Sequence, residues 1–171
     1  MTPSPKKLKY LSQYSENLQQ QVQTLIDQGR LGDFIFKKYP KAHDISTDKM
    51  LYNYVIGIKN EHLRKSQPLS KVAYDSKISL TNQALGLHTF VSRVQGKKLK
   101  AKNEIRIASA FKRVPLEFLR VIIVHELAHL KEKDHNKAFY KLCLHMEPDY
   151  HQLEFDMRMY LCQVDLNGKL Y

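Results

Sequence analysis

Two histidines spaced four residues apart, with a glutamate directly after the first, are the chain's strongest chemical signal: His125, Glu126 and His129. At 3.6 residues per turn, this spacing puts both imidazoles on one side of a helix, about 6 Å apart along its axis. Two imidazoles placed in this way can bind one Zn²⁺ ion through neutral ring nitrogens. Glu126 is rotated by about 100° from His125 and can serve as the general base. The pattern therefore predicts a catalytic metal site.

The residues around this pattern argue against two ordinary surface histidines. A chain of 171 residues with 8 histidines would hold the pattern by chance at roughly the 2% level. The surrounding helix is apolar on nearly all of its faces and should run through the core, where two histidines and a carboxylate need a partner. A metal ion would be such a partner. The apolar residues of this helix are Leu116, Phe118, Leu119, Val121, Ile122, Ile123, Val124, Leu127 and Leu130.

A third protein ligand is required, because a catalytic zinc site has three ligands and one open position. His135 follows His129 by six residues, beyond the expected end of the helix, and can fold back toward the metal. The spacing matches the metzincin pattern HExxHxxGxxH, except that Glu132 stands where that pattern has its turn glycine. We expect His135 to be the ligand. The alternatives are His145, Glu147, His151 and Glu154.

The stretch from Val121 to Tyr140, continuing to Pro148-Asp149-Tyr150, resembles the YgjP-like metallopeptidase-domain family. This family is related to the SprT-like and other small HExxH zinc proteins, and the resemblance covers most of the chain. It implies a zincin-like core with zinc as the cofactor. It also implies that the metal ligands are His125, His129 and His135 and that the catalytic residue is Glu126.

Three functions are compatible with such a site. The first is a zinc-dependent metallohydrolase of the peptidase type, in which an extended peptide pairs with an edge strand before the motif helix; residues Asn103 to Ala108 are the candidate strand. The alternative is a nucleoside triphosphate pyrophosphatase, because members of the YgjP-like family have been assigned such an activity on UTP. Mg²⁺ or Mn²⁺ would then accompany the substrate phosphates. The second alternative is a nucleic-acid-associated SprT-like protein. The basic segment holds few aromatic residues on which bases could stack, and this disfavours nucleic-acid binding.

A basic segment at residues 93–113 carries eight Lys and Arg residues against one acid, or +7 of the chain's net +11. This charge has two interpretations of equal weight. The segment can be a solvated hairpin, or it can be a cationic rim that attracts phosphate-bearing substrates to the metal. The candidate substrate-binding residues are Arg93, Lys97, Lys98, Lys100, Lys102 and Arg106.

The first 68 residues are predicted to form a loose basic tail over residues 1–13 and then three helices. Ser15 can cap a helix that ends near Gly29, and a short helix follows from Leu31 to Tyr39. Thr47 opens the third helix, which ends before Pro68. These helices are an N-terminal extension of the domain at residues 69–171, with which they should form one compact unit.

From Leu69 onward the sequence predicts strands and then the motif helix, which makes the fold class α+β. Short β-type runs predict strands near residues 71–74, 78–80, 89–94 and 103–108, and the last two alternate apolar and polar residues. A basic connector at residues 95–102 joins those two strands. We expect a small antiparallel sheet packed on the motif helix. Two more helices are predicted at residues 137–145 and 149–163, separated at Pro148.

The composition limits the class of protein. With 43% apolar and 26% charged residues in 171, the chain is an ordinary globular protein and not a disordered or fibrous one. No stretch approaches the roughly 20 apolar residues of a membrane span, and the N-terminus lacks an apolar leader, so we expect a cytoplasmic protein. Cys143 and Cys162 are too few for a disulfide framework and should be buried free thiols.

Overall fold

The computed structural model describes residues 8–78, 86–95 and 98–171, with the backbone alone for residues 86–95 and 98–102. The described part of the chain is α+β, with helices before and after a sheet. Two short 3-10 helices lie at Lys9–Leu11 and Ser109–Arg113. The helices are α1 (Glu16–Asp27), α2 (Leu31–Lys38), α3 (Asp48–His62), α4 (Leu116–Ala128), α5 (Lys137–Met146) and α6 (Tyr150–Asn167), and the strands are β1 (Leu69–Asp75), β2 (Gly86–Gln95) and β3 (Lys98–Ala108).

Side-chain caps start the first and third helices where the sequence predicts them. The Ser15 hydroxyl accepts a hydrogen bond from the backbone N–H of Leu18 at 3.3 Å, and the Thr47 hydroxyl accepts one from Met50 at 3.2 Å. Each bond satisfies a backbone donor that the first helical turn leaves without a partner. The five helices predicted apart from the motif helix are confirmed to within a few residues at their ends.

The N-terminal tail is shorter than predicted. Leu8, Tyr10 and Leu11 are buried, and Leu11 has no solvent exposure. The guanidinium of Arg158 donates to the carbonyl oxygen of Tyr10 at 3.4 Å, which fixes this segment against α6. The prediction of a loose tail is therefore wrong for residues 8–11, because their apolar side chains pack into the core; residues 1–7 lie outside the described part.

The sheet is mixed, which corrects the prediction of an antiparallel sheet. Its strand order is β1-β3-β2. The β2–β3 pair is antiparallel and extends from Gly86↔Ile107 to Gln95↔Lys98, so most of the predicted basic connector is strand. In contrast, β1 pairs in parallel with β3. The chain reverses direction between β1 and β2 and again between β2 and β3, so β3 runs parallel to β1. Of the predicted strand at residues 78–80, Ile78 lies in a bend and the rest lies outside the described residues.

One buried cluster joins the N-terminal helices to the motif helix. It contains Leu51 and Val55 of α3 together with Ile123 and Leu127 of α4, all without solvent exposure. This burial confirms that α4 runs through the core. The division of the chain at residue 68 stays a prediction.

Two further expectations concern cysteines and membranes. Cys143 and Cys162 are both buried and free, as predicted. Among the described residues, no helix combines the length and the apolar character needed to cross a bilayer. The cytoplasmic location stays a prediction.

Candidate metal centre

Three histidine side chains converge at the C-terminal end of α4. His125 lies in the last turn of α4, His129 directly follows that helix, and His135 lies in the loop before α5. The Nε2 atom of His129 is 3.3 Å from that of His125 and 3.1 Å from that of His135. One ring nitrogen from each residue lies within 4.8 Å of the others. This arrangement can place three nitrogens around one metal ion.

Two of these rings form a hydrogen bond through Nδ1, the ring nitrogen that faces away from the other histidines. The Nδ1 atom of His129 is 3.0 Å from the carbonyl oxygen of Glu132. Since a carbonyl oxygen only accepts, Nδ1 must carry the proton, which leaves a lone pair on Nε2 of the neutral ring. The Nδ1 atom of His125 is 2.9 Å from the hydroxyl of Tyr150. Each ring therefore presents Nε2 to the centre of the group.

The turn after α4 brings His135 back without a glycine. The N–H of Glu132 donates to the carbonyl of Ala128 at 3.0 Å, which continues the helical path beyond His129. The side chain of Asn136 then caps α5 by accepting from the N–H of Phe139 at 2.9 Å, and its amide donates to the Glu132 carboxylate at 3.3 Å. This turn chemistry replaces the glycine of the metzincin pattern.

The environment of His125 favours its neutral imidazole. Burial, with smaller contributions from the neighbouring His129 and His135, lowers the pKa of His125 to about 3. The Phe139 ring, which has no solvent exposure, lies 4.7 to 4.9 Å from all three imidazole centroids. Three imidazole nitrogens beside an apolar ring are a donor set that fits a divalent ion such as Zn²⁺.

Glu126 is on the same helix as the first two histidines and is only 5% exposed. A carboxylate needs a partner when it is buried to this extent. Its position one residue after His125 is the one at which a general base stands in this motif. Its catalytic role stays a prediction.

The four rival ligands lie in other contacts. Glu147 pairs with Arg120 at 3.4 Å, and Glu154 pairs with Arg158 at 2.5 Å. The other two rivals form ring contacts: His145 with His62 at 5.4 Å, and His151 with Tyr140 at 5.6 Å. Among the described residues, none of the four belongs to the metal-binding group. The geometry thus supports His135 over its rivals.

Comparison with known proteins agrees with this geometry. The YgjP-like, metallopeptidase domain family matches residues 41–159, a range that contains all three histidines. The chain belongs to the YgjP-like family. Over 159 residues it is 60% identical to a UTP pyrophosphatase of Escherichia coli (strain K12), covering 93% of this chain and 95% of the relative. No solved structure gives a significant match. This YgjP-like chain is therefore an enzyme, a hydrolase.

The cationic rim predicted for this YgjP-like chain stays a prediction. Arg106 pairs with Asp75 at 3.2 Å and with Glu104 at 3.7 Å, which offsets its charge. Lys97 lies outside the described residues, and for the other predicted rim residues the structure describes the backbone alone. These are Arg93, Lys98, Lys100 and Lys102.

A second basic surface was not predicted from the sequence. A cavity of about 490 Å³ has walls from the end of α3 and from the turn after α4. Its lining has three cationic residues, Arg64, Lys65 and Lys131, and one acidic residue, Glu61. Lys131 follows His129 by two residues along the chain. The three are distant in sequence from the run at residues 93–113, so charge clustering along the chain does not reveal them.

The strand proposed to receive a peptide is not an edge strand. Residues 103–108 of β3 pair with β1 on one side and with β2 on the other. Backbone groups on both sides of β3 are therefore engaged within the sheet. The expectation that a peptide substrate pairs with Asn103 to Ala108 is wrong, because peptide addition requires a free strand edge.

Proposed function

We propose that this chain is a zinc-dependent nucleoside triphosphate pyrophosphatase that acts on UTP and releases UMP and pyrophosphate. The observation that carries the proposal is 60% identity over 93% of the chain to a UTP pyrophosphatase. The near-complete coverage matters, because it includes the whole segment from His125 to His135.

The sheet leaves β3 unable to receive a peptide, because β3 has partners on both sides and the outer strands are β1 and β2. A nucleotide needs no strand edge. Arg64, Lys65 and Lys131 line a cavity together with one acid, Glu61, which leaves an excess of positive charge there, and Lys131 follows His129 by two residues along the chain. Such a surface attracts phosphate groups.

The chain's own residues have distinct roles in this reaction. His125, His129 and His135 would hold zinc in a zincin-like arrangement. When bound, zinc supplies Lewis-acid chemistry to water and to phosphate oxygens. The carboxylate of Glu126 accepts the proton that water releases as its oxygen attacks the α-phosphorus. The bond from that phosphorus to the oxygen bridging the α- and β-phosphates breaks, and pyrophosphate leaves with the bridging oxygen. The hydrogen bond from His129 Nδ1 to the Glu132 carbonyl keeps that imidazole in the required tautomer.

The test is hydrolysis by the zinc-loaded protein of a nucleoside triphosphate panel and of an unfolded peptide library. We expect UMP and pyrophosphate from UTP, and a fall of about 10²–10⁴-fold in rate for Glu126→Gln with zinc content unchanged. Adding Mg²⁺ or Mn²⁺ to the zinc protein will show whether the substrate phosphates require a second cation.

The matched control is Glu117→Gln, which makes the same chemical change in the exposed first turn of the same helix. This variant should retain the wild-type rate. Peptide cleavage without nucleotide hydrolysis would contradict the proposal and return the chain to the peptidase class.

A further inference from the structure

The hydrogen bond behind His125 comes from a residue distant in sequence. Tyr150 is the first residue of α6, and its hydroxyl lies 2.9 Å from Nδ1 of His125. Tyr150 is only 2% exposed, so water has little access to this bond. The side chain of Cys143 on α5 lies within reach of the same hydroxyl. Cys143 has no solvent exposure.

The three groups differ in what each can donate. A phenol has an ordinary pKa of about 10, so Tyr150 keeps its one proton at neutral pH. A neutral phenol has one O–H to donate and lone pairs to accept with, and sulfur can accept weakly. If the phenol donates to Cys143, its oxygen is left to accept from the Nδ1–H of His125.

The direction of this bond decides whether His125 can bind a metal. A neutral imidazole carries one proton, on Nδ1 or on Nε2. When Nδ1 holds it, the lone pair is on Nε2, the atom that faces His129 at 3.3 Å. If Tyr150 instead donated to Nδ1, the proton of the ring would be on Nε2 and would block the metal.

We propose that Tyr150 is a positioning residue that holds His125 in the metal-binding tautomer, with Cys143 as the acceptor for the Tyr150 proton. The proposal rests on the metal-ligand role of His125 and is independent of the substrate. It gives His125 the same support that the Glu132 carbonyl gives His129. The two hydrogen bonds differ in one respect. A substitution can remove the Tyr150 hydroxyl, whereas no substitution removes the backbone carbonyl of Glu132.

The first test is the affinity of Tyr150→Phe for Zn²⁺, measured by competition with a chromogenic chelator. Removing the hydroxyl keeps the ring and leaves Nδ1 without its acceptor, so we expect affinity to fall about 10- to 100-fold. The control is Tyr160→Phe, which alters another buried tyrosine of α6 whose ring packs on Phe118 and not on the histidines. This control should bind zinc as the wild type does.

A second pair of variants tests the acceptor. Cys143→Ser retains an acceptor for the Tyr150 proton, whereas Cys143→Ala removes it. We expect the serine variant to bind zinc at least about fivefold more tightly than the alanine variant. The absorption spectrum of bound Co²⁺ should shift in Cys143→Ala and in Tyr150→Phe, which loss of stability alone would not produce.

Two results would overturn the proposal. One is a folded Tyr150→Phe protein that binds zinc within threefold of wild type; the other is equal affinity for Cys143→Ser and Cys143→Ala. Because zinc alone is the probe, failure of UTP hydrolysis in the wild type would leave these outcomes interpretable. The same variants, assayed with saturating zinc, should recover most of any lost turnover.

Discussion

At the scale of single residues, His135 shows where sequence reasoning meets its limit. The positions of His125 and His129 follow from helical periodicity, because four residues nearly complete one turn. His135 lies beyond the end of α4, where periodicity carries no information. Its place depends on Glu132 and Asn136, whose side chains hold the turn. Tyr150 and Phe139 contribute to the site from other helices, and their contacts depend on how α4, α5 and α6 pack.

The third ligand can be tested by substitution. We expect His135→Ala to weaken Zn²⁺ binding by more than about 100-fold, since loss of a ligand should cost more than loss of its hydrogen-bond partner. His151→Ala is the control, because His151 contacts Tyr140 and Tyr150 and does not belong to the metal-binding group. Zinc affinity measured by calorimetry distinguishes the two variants. Equal losses in both would remove His135 from the ligand set.

At the scale of helices and strands, the sequence predicts where each element lies but not which strands pair with each other. Ser15 and Thr47 start their helices as predicted, since a cap acts within a single turn. A short β-type run also locates β1, and alternation locates β2 and β3. It does not reveal their order, because the same apolar and polar pattern suits a strand with a parallel or an antiparallel neighbour. The parallel pairing of β1 with β3 joins residues about 34 apart in sequence, from Leu69↔Asn103 onward.

The cap of α5 links helix stability to the metal site. Asn136→Ala removes the bond to the Phe139 N–H and the bond to Glu132, so we expect a loss of about 1 kcal/mol in unfolding free energy and weaker zinc binding. Ser15→Ala removes a comparable cap from α1, remote in sequence from the histidines. It should lower stability similarly without changing zinc affinity. Urea unfolding and zinc titration of both variants test this expectation. Wild-type zinc affinity in Asn136→Ala would show that the α5 cap does not support the metal site.

At the scale of the whole molecule, the N-terminal segment belongs to the same core as the motif helix α4. The family match begins at residue 41, yet Leu11 and Ile35 are buried with Phe118 and Ile123 in one cluster. The sequence predicts the helices of this segment but not its first packed residues. A short run of Leu and Tyr among lysines has no period that distinguishes a tail from a docked turn.

This packing predicts a large effect far from the site. Leu11→Ala should lower the free energy of unfolding by about 2–5 kcal/mol, because Leu11 has no solvent exposure and its removal leaves a cavity. Met50→Ala removes a side chain that is 40% exposed and should cost far less. Urea denaturation measures both. A change below 1 kcal/mol in Leu11→Ala would show that the segment contributes little to the fold.

The double pairing of β3 also limits how this enzyme could be re-engineered. Laboratory evolution explores side chains, whereas the hydrogen bonds that close both edges of β3 are made by the backbone. Ordinary point substitutions therefore leave those edges closed. A selection for peptide cleavage would therefore have to use an outer edge of the described sheet, that of β1 or that of β2. Libraries that vary β1 and β2 should yield peptidases that libraries confined to β3 do not.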